Sequence, residues 1–443
     1  MRYLLNLAYL SLLLVAAPWL IWSAIRHGKY RQGLPQKLLG WVPSLEQTAS
    51  PRIWLHAVSV GEVNLLRPIL HRLICANPDA EIVISTTTQT GFELASRQFD
   101  QHAVFYCPLD FSWAVRTAIS RLKPDLLVLV ELELWPNLLM QAERCGIPVA
   151  IVNGRLSDRS TRGYLKLGAL TRRWFSSIRL VAAQSQTCAS RFQLIGVPEE
   201  KVRFVGSIKF DGAQTDRANS RTSELRKLAA IEDDDIVFLA GSTQQPEEAL
   251  ALAAWQNLVS DFPKLRLILV PRHPERYSEV ARMLDASGIP WQARTSMRKG
   301  SSSASPVILV DTVGELGAWW GTADIGFVGG SLGSRGGQNM IEPTAYGVAT
   351  CFGPNTRNFR DVVQLLLNSN AAVVIHDGTE LEQFVRNCAS NLEFRTELGM
   401  RARRLVAQQR GAADRTVELL TELLQTTPKV AAAIDGQPAR KPA

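Results

Sequence analysis

From residue 51 onward, short runs of apolar residues alternate with longer stretches in which apolar and polar positions recur at helical spacing. Most of the short runs are unbroken Val, Ile and Leu, which is typical of parallel strands covered by helices on both faces. We therefore predict an α/β chain built on parallel sheets. The predicted strands are residues 53–57, 81–85, 103–106, 126–130, 149–152, 180–183 and 202–205, followed by 236–240, 265–270, 307–310, 325–328, 348–352 and 371–375.

A polar stretch separates the two sets of predicted strands. Residues 213–235 contain no aromatic residue and many Arg, Ser, Thr and Asp residues, which is typical of a linker. A chain of 443 residues is also too long for one ordinary core. We therefore predict Rossmann-like domains at residues 50–212 and 236–426, a cleft between the carboxyl ends of their strands, and a disordered tail at 427–443.

The start of the chain is an apolar segment of a different kind. Residues 4–25 read LLNLAYLSLLLVAAPWLIWSAI without a charge, and a bilayer core takes roughly 20 such residues. Only Arg2 precedes this segment, whereas four cations follow it by residue 37, so the rest of the chain is expected in the cytoplasm. We predict a single-pass N-terminal transmembrane anchor at residues 1–27. A cleaved signal peptide is disfavoured because no Ala-x-Ala-like site follows, and a helix lying partly in the interface stays open.

Composition and charge narrow the classes of function. A hydrophobic content of 46% and a charged content of 20% indicate a globular protein, and six scattered cysteines indicate reduced thiols. The net charge of +8 comes without a basic run that is interleaved with aromatics, so anionic lipids or phosphorylated substrates are favoured over nucleic acid. No cluster of His, Cys and carboxylates has zinc spacing and no Asp-x-Asp ends a strand, so we predict no metal.

Charged residues follow buried strands in the first domain. Glu62 lies in WLHAVSVGEVNLL, at a strand-to-helix turn, where a carboxylate can act as a general base or can only cap the helix. Glu131 and Glu133 end another strand, and only one of them can face the site because neighbouring strand residues point to opposite faces. Lys209 follows the strand at 202–205, where a cation can offset negative charge, although most lysines are simply solvated.

A glycine-rich segment marks the second domain. Residues 325–347 read IGFVGGSLGSRGGQNMIEPTAYG, and glycine amides followed by a helix N-terminus form an anion site. Glu342, in the first turn, can accept hydrogen bonds from ribose hydroxyls. The segment lacks both the GxGxxG and the GK[ST] elements, which disfavours NAD and a P-loop. Arg272, in LVPRHPER, lies between two prolines at a strand end, where a rigid guanidinium suits a phosphate or a planar base.

These segments occur in an order that resembles the bacterial Kdo (3-deoxy-D-manno-octulosonic acid) transferases of lipopolysaccharide assembly. The order is a hydrophobic anchor, LHAVSVGE, STTTQTG, ELELWPN, NGRLSDRS, GSIKFD, LVPRHPER, GEL and FVGGSL…GGQN..EP. The resemblance implies a GT-B architecture, with an acceptor-binding first domain and a CMP-sugar-binding second domain facing a cleft. It also implies metal-independent transfer of Kdo from CMP-Kdo to a lipid A precursor at the cytoplasmic face of the inner membrane.

The resemblance also implies roles for individual residues. Glu62 corresponds to the catalytic base, and Glu131 and Lys209 correspond to residues that stabilise the transition state. By analogy alone, this decides for Glu131 over Glu133. The CMP-binding segments correspond to Pro271, Arg272, Val313, Gly314, Glu315, Asn339, Met340, Ile341 and Glu342.

The chain departs from the common family pattern in the second domain. It reads GGQNMIEP where the family commonly reads GGHNPLEP, STQQPEE where STHEGEE is common, and Val313 where Met is common. The glycines of the nucleotide segment, Asn339, Glu342 and the base Glu62 are retained, so CMP binding and catalysis are expected to be intact. The changes are expected to affect the recognition of the sugar and the number of sugars transferred. Two alternatives remain: a GT-B transferase that uses a UDP-sugar on a lipid-linked acceptor, and a membrane-tethered nucleotide-binding scaffold without turnover.

Overall fold

The computed structural model describes residues 2–27, 31–132, 135–297 and 305–426. These residues form two compact units, each with its own core. Unit one contains the described residues up to Asp211 and again residues 410–426, and unit two is Gly212–Gln409. The chain therefore leaves unit one, builds unit two and returns.

Unit one alternates strands and helices after its first two helices. Its helices up to Asp211 are α1 (Arg2–His27), α2 (Leu34–Leu39), α3 (Val60–Ala76), α4 (Gln89–Gln98), α5 (Ser112–Leu122), α6 (Pro136–Arg144), α7 (Asp158–Lys166), α8 (Ala169–Ser176) and α9 (Gln186–Leu194). Its strands are β1 (Arg52–His56), β2 (Glu81–Thr86), β3 (Ala103–Tyr106), β4 (Leu126–Val130), β5 (Val149–Gly154), β6 (Leu180–Ala183) and β7 (Val202–Phe204).

The described strands of unit one form a parallel sheet in the order β3-β2-β1-β4-β5-β6-β7. The strand order reverses between β1 and β4, and every residue of these two strands is buried. Helices α5, α6, α8 and α9 cover one face, and α3 and α4 cover the other. In a sheet of this kind, the crevice at the carboxyl ends of the strands where the order reverses is the usual ligand site.

Unit two repeats this plan. Its helices are α10 (Ser220–Leu228), α11 (Glu247–Leu258), α12 (Tyr277–Ser287), α13 (Leu316–Trp319), α14 (Ile341–Ala345), α15 (Arg360–Asn368), α16 (Gly378–Ser390) and α17 (Leu392–Gln409). Its strands are β8 (Ile236–Thr243), β9 (Leu265–Pro271), β10 (Trp291–Ala293), β11 (Val307–Leu309), β12 (Ile325–Val328), β13 (Ala349–Phe352) and β14 (Val373–Val374). In the described residues they form a parallel sheet in the order β10-β11-β9-β8-β12-β13-β14.

The predicted fold class, α/β with two parallel sheets, is confirmed. Each predicted strand corresponds to a strand of the structure, with ends that differ by up to three residues. The short strand β10 was not predicted. Its residues are only partly buried, because β10 lies at the sheet edge, so it lacks the unbroken apolar pattern of the central strands.

The unit boundaries differ from the domain bounds expected from the sequence. The polar stretch 213–235 contains α10, which packs within unit two, where the Thr222 hydroxyl donates to the Ala318 carbonyl at 3.1 Å. The last helix, α18 (Ala412–Thr426), lies in unit one because its apolar stripe packs on α3. The Asp211 carboxylate accepts hydrogen bonds from the N–H groups of Gly411 and Ala413, at 2.6 and 2.5 Å. The expected tail 427–443 lies outside the described residues.

The predicted anchor segment is helical. Within the described residues, α1 is the helix that is long and apolar enough to cross a membrane, judged by length and composition. It belongs to unit one, and its contacts with that unit are described below.

Candidate active site

Glu62 lies in the first turn of α3, directly after the β1-to-α3 turn. Its carboxylate accepts hydrogen bonds from the Val58 N–H at 2.7 Å and the Ser59 hydroxyl at 3.0 Å, so it does cap the helix. The residue is 9% exposed, and burial raises its pKa, against the opposing effects of these two hydrogen bonds. Because an ionised carboxylate has about four acceptor positions, the cap leaves room for a second role.

Glu131 and Lys209 lie beside Glu62 at the carboxyl edge of the sheet. Glu131 directly follows β4, the neighbour of β1, and the Lys209 ammonium lies 3.3 Å from its carboxylate. The charges of both residues act on the pKa of Glu62, in opposite directions. The structure therefore brings the three predicted catalytic residues together within unit one. Glu133 lies outside the described residues.

Asn153 is a buried residue of this cluster to which the sequence assigned no role. It lies in β5 with a left-handed backbone (φ 51°), and its side-chain oxygen accepts a hydrogen bond from the Ile208 N–H at 3.1 Å. This bond holds the short turn that carries Lys209 against the sheet. The NGRLSDRS segment contains the signal, because asparagine is the residue that best tolerates a left-handed backbone apart from glycine.

Asn339, Glu342 and Arg272 form the centre of the candidate nucleotide site in unit two. The Asn339 side-chain amide donates to the Glu342 carboxylate at 2.9 Å, and its oxygen accepts from the Ile341 N–H at 3.0 Å. Burial raises the pKa of Glu342, while the Asn339 hydrogen bond and the Arg272 charge lower it. Arg272 directly follows β9, and its N–H donates to the Thr243 carbonyl at 3.0 Å. A carboxylate and an exposed guanidinium thus lie within reach of one ligand.

The loop at 313–315 leads into α13, where a Cβ atom added at Gly317 would be 3.8 Å from the Glu342 carboxylate. Gly314 has a left-handed backbone (φ 86°). The Glu315 carboxylate is bound by two hydrogen bonds from Arg294, both 2.9 Å, and by one from the Thr312 hydroxyl at 2.7 Å. Its side chain is therefore engaged inside the unit, and a nucleotide would meet the main chain of this loop.

Three other predicted nucleotide-binding residues offer a ligand only their main chain. The side chains of Pro271, Met340 and Ile341 are buried, whereas that of Val313 is exposed. The Met340 and Ile341 side chains belong to the hydrophobic packing at the start of α14. A change of side-chain type at these two positions therefore alters packing behind the site rather than a direct contact.

Glu247 organises the glycine-rich turn and was not predicted. This carboxylate, 1% exposed, accepts hydrogen bonds from the N–H groups of Gly330, Ser331 and Leu332 at 2.7, 3.0 and 3.1 Å. Gly329 lies so close to β8 that a Cβ atom there would be 2.6 Å from the Thr243 Cα. The Pro-Glu-Glu start of α11 marks Glu247 as a carboxylate at a helix start, but its partners in the glycine-rich turn lie 83 or more residues away in sequence.

The potential metal ligands of the described residues are dispersed. Within the described ranges, which omit 28–30, 133–134, 298–304 and the two chain ends, no three His, Cys, Asp or Glu side chains come together in a group that could hold a metal ion. The independence from metal that the sequence suggests stays a prediction.

Two units that each carry a parallel seven-stranded sheet place the chain in the class of two-domain α/β proteins with Rossmann-like sheets. The chain is similar to the UDP-GlcNAc 2-epimerase of Neisseria meningitidis, with 13% identity, a TM-score of 0.55, and coverage of 84% of this chain and 100% of that one. It is similar to a glycosyltransferase from Rickettsia africae, with 12% identity, a TM-score of 0.54, and coverage of 86% and 100%. At these identities the likeness shows the fold alone.

Sequence comparison identifies the family. The family model described as 3-deoxy-D-manno-octulosonic-acid transferase (kdotransferase) matches residues 31–212. The chain is 33% identical to the 3-deoxy-D-manno-octulosonic acid transferase of Haemophilus influenzae over 94% of this chain and 98% of the relative. It is 31% identical to that of Bordetella pertussis over 92% of each. The chain therefore belongs to the 3-deoxy-D-manno-octulosonic acid (Kdo) transferase family, and it is a glycosyltransferase, as the sequence predicted.

Proposed function

We propose that this Kdo transferase moves Kdo from CMP-Kdo to a lipid A precursor of the lipid IVA type in lipopolysaccharide core biosynthesis. Membership of the family supports Kdo as the sugar. The observation that carries the proposal is the cluster of Glu62, Glu131 and Lys209 at the sheet edge where the strand order reverses. A carboxylate beside an ion pair at such an edge suits proton removal next to developing charge.

Glu62 is the general base in this mechanism. It removes the proton from a sugar hydroxyl of the acceptor, and that oxygen bonds to the anomeric carbon of Kdo as the bond from that carbon to the CMP phosphate breaks. A single base with direct displacement inverts the anomeric centre. The burial that raises the pKa of Glu62 also makes its ionised form a stronger base than a solvated glutamate.

Cations and amides offset the charges of the reaction. The Lys209 ammonium, held by Glu131, suits the Kdo carboxylate or the departing phosphate. In unit two, the N–H groups of Gly330, Ser331 and Leu332 already donate to Glu247, so the main-chain amides around Gly336–Asn339 are the ones that suit the phosphate. Arg272 suits the phosphate or the base, and Glu342 suits the ribose hydroxyls. The proposed CMP contacts include the main chain of residues 313–315 and 339–341.

We also propose that α1 and its basic flank hold the enzyme at the cytoplasmic face of the inner membrane, close to its lipid acceptor. The support is the apolar length of α1 and the positive charge that follows it. Membrane association keeps the candidate catalytic residues near a substrate whose acyl chains stay in the bilayer.

Mass spectrometry of the product tests this function. Purified enzyme is incubated with CMP-Kdo and a lipid A precursor, and the expected product is heavier by one or more Kdo residues. Calorimetry with CMP and with UDP is the companion measurement, and CMP should bind more tightly. UDP binding without a Kdo product would favour the UDP-sugar transferase, and CMP binding without any transfer would favour the scaffold.

Removal of metal gives a further prediction. Because the leaving group, CMP, is a nucleoside monophosphate whose charge Lys209 and main-chain amides around Gly336–Asn339 can offset, enzyme treated with EDTA should keep its transfer rate. Initial rates with and without EDTA measure this. A loss of activity that added Mg²⁺ restores would contradict the prediction.

A further inference from the structure

Polar side chains near the start of α1 are bonded to the body of unit one. Asn6 is buried, and its side chain donates to the Ser112 hydroxyl at 2.7 Å and accepts from the Ser112 N–H at 3.0 Å and from the Asn137 amide at 3.3 Å. The Tyr9 hydroxyl donates to the Asp110 carboxylate at 3.0 Å. These partners lie at the carboxyl edge of the sheet, more than 100 residues away in sequence. The first third of α1 is therefore docked on the domain.

The segment after α1 is tied to the same part of unit one. The Tyr106 N–H and hydroxyl donate to the Gln36 and Gln32 side chains, each at 2.8 Å. The Trp113 indole donates to the Leu38 carbonyl at 2.9 Å. Since α1 has 26 residues, its axis is about 39 Å long. A helix of that length that crossed the bilayer would hold its first residues on the side opposite to the domain, whereas both flanks here contact residues 106–113.

The outward face of α1 is apolar. Of the 25 exposed large apolar side chains among the described residues, eleven lie on α1, although it is one helix of many. Four more lie on the segment after α1 and at the start of α5. The fifteen are Tyr3, Leu4, Leu7, Leu10, Leu12, Leu14, Val15, Trp19, Ile21, Trp22, Ile25, Leu34, Leu39, Trp41 and Trp113. We call this set the α1 face. Apolar surface of this extent on a water-soluble domain marks an interaction site.

Charge identifies what covers the α1 face. The first 45 residues contain five Lys and Arg residues and no Asp or Glu. A groove of about 530 Å³ beside α1 is lined by three arginines, Arg2, Arg116 and Arg144, together with uncharged side chains. Cations beside an apolar, tryptophan-containing helix face complement the anionic headgroups and the acyl boundary of a bilayer.

We propose that α1 lies in the plane of the membrane surface, with the α1 face in the headgroup and acyl boundary, and does not cross the bilayer. This replaces the single-pass anchor expected from the sequence, in which length and apolar composition were the only guides. The enzyme is then attached to one leaflet, and the edge of the sheet that carries Asp110 and Asn137 lies next to the lipid surface. The same sheet edge carries Glu62 and Glu131, so a lipid acceptor would stay partly in the membrane during transfer.

The side of the membrane on which the N-terminus lies tests this proposal, and the readout does not depend on catalysis. The full chain carries one short epitope before Met1 and a different one after Ala443, and protease is added to intact spheroplasts and to lysed ones. We expect both epitopes to resist protease until lysis, because both ends lie in the cytoplasm. Digestion of only the N-terminal epitope in intact spheroplasts would overturn the proposal, because it would place α1 across the bilayer.

Flotation with vesicles tests the assigned partner. The purified full chain should float with phosphatidylglycerol-containing vesicles and less with phosphatidylethanolamine alone, and high salt should reduce binding. The double variant Leu14→Glu, Val15→Glu should lose flotation, whereas Leu392→Glu, at a side chain in unit two that is 64% exposed, should not. Failure of the wild type to float, with a dimer that the double variant abolishes, would assign the α1 face to a second copy and overturn the proposal.

Discussion

Glu131 has a left-handed backbone (φ 61°) at the end of a fully buried strand. This conformation costs a residue with a side chain roughly 1–2 kcal/mol, and such strain is retained when the surrounding structure enforces it. Here the Glu131 N–H donates to the Val152 carbonyl at 2.9 Å, and the carboxylate meets Lys209 at 3.3 Å. The strain points the carboxylate to Lys209 and Glu62, which fits a role in the site rather than in stability.

Two substitutions at Glu131 separate these effects. Glu131→Gly and Glu131→Gln both remove the charge, but only glycine relieves the strained backbone. We expect both variants to lose most transfer activity, and the glycine variant to be more stable than the glutamine variant by up to about 1 kcal/mol, since the greater freedom of glycine in the unfolded chain offsets part of the gain. Thermal unfolding and initial transfer rates measure the two quantities. Full activity in the glutamine variant would contradict a catalytic role for the charge.

The sequence could predict some site residues and not others. Glu62, Arg272 and Glu342 were predictable because each interrupts an apolar run at a strand end or a helix start, which is a local signal. Asn153 and Glu247 act through hydrogen bonds to groups 55 and 83 or more positions away. No local pattern contains such a pairing, so their roles required the folded chain.

Asp110 joins several elements of unit one. Its carboxylate accepts from the N–H groups of Asn137 and Leu138, both at 2.9 Å, at the start of α6, and from the Tyr9 hydroxyl of α1. The carboxylate therefore satisfies helix donors that would otherwise be buried without a partner, and it also holds α1 on unit one. Burial raises the pKa of Asp110 to about 6, and the three hydrogen bonds oppose this shift.

This shift predicts a pH dependence of stability. The raised pKa means that between about pH 4 and pH 6 the folded state binds more protons at Asp110 than the unfolded state, so the stability from this group falls as pH rises through that window. The free energy of unfolding of the wild type, minus that of Asp110→Asn, should fall by about 2 to 3 kcal/mol from pH 4 to pH 7. Urea unfolding monitored by tryptophan fluorescence measures it. The fully exposed Asp233→Asn serves as the control, and a pH-independent difference for Asp110→Asn would contradict the prediction.

At the scale of elements, apolar runs predicted the strands of both sheets well, but they did not predict where the helices near the two ends of the chain, α1 and α18, pack. The central strands are buried on both faces, so their composition alone identifies them. The return of α18 to unit one and the docking of α1 depend on long-range contacts between elements that are far apart in sequence. An apolar helix pattern shows that the helix needs an apolar partner, but it does not show whether that partner is protein or lipid. For α1 the pattern suggested a membrane-spanning helix.

The whole molecule combines two parallel-sheet units with one apolar helix that is bonded to the first unit. The candidate catalytic carboxylates and the α1 docking site share the carboxyl edge of the sheet in unit one, and the candidate nucleotide residues lie within unit two. The net charge of +8 suits a surface next to anionic lipids and a donor that carries a phosphate and a carboxylate. Family membership shows a glycosyltransferase, and the charge supports the proposal that it works at a membrane surface on an anionic sugar donor.

The central claim is that Glu62 is the base for Kdo transfer, and the single-turnover rate of Glu62→Gln tests it most directly. The glutamine oxygen can still accept the Val58 hydrogen bond, so the start of α3 should remain capped. We expect the transfer rate to fall by about a hundredfold or more while CMP affinity stays unchanged, and the exposed Glu93→Gln control to match the wild type. A Glu62→Gln rate within about threefold of the wild type would contradict the account, because general-base catalysis contributes far more than that.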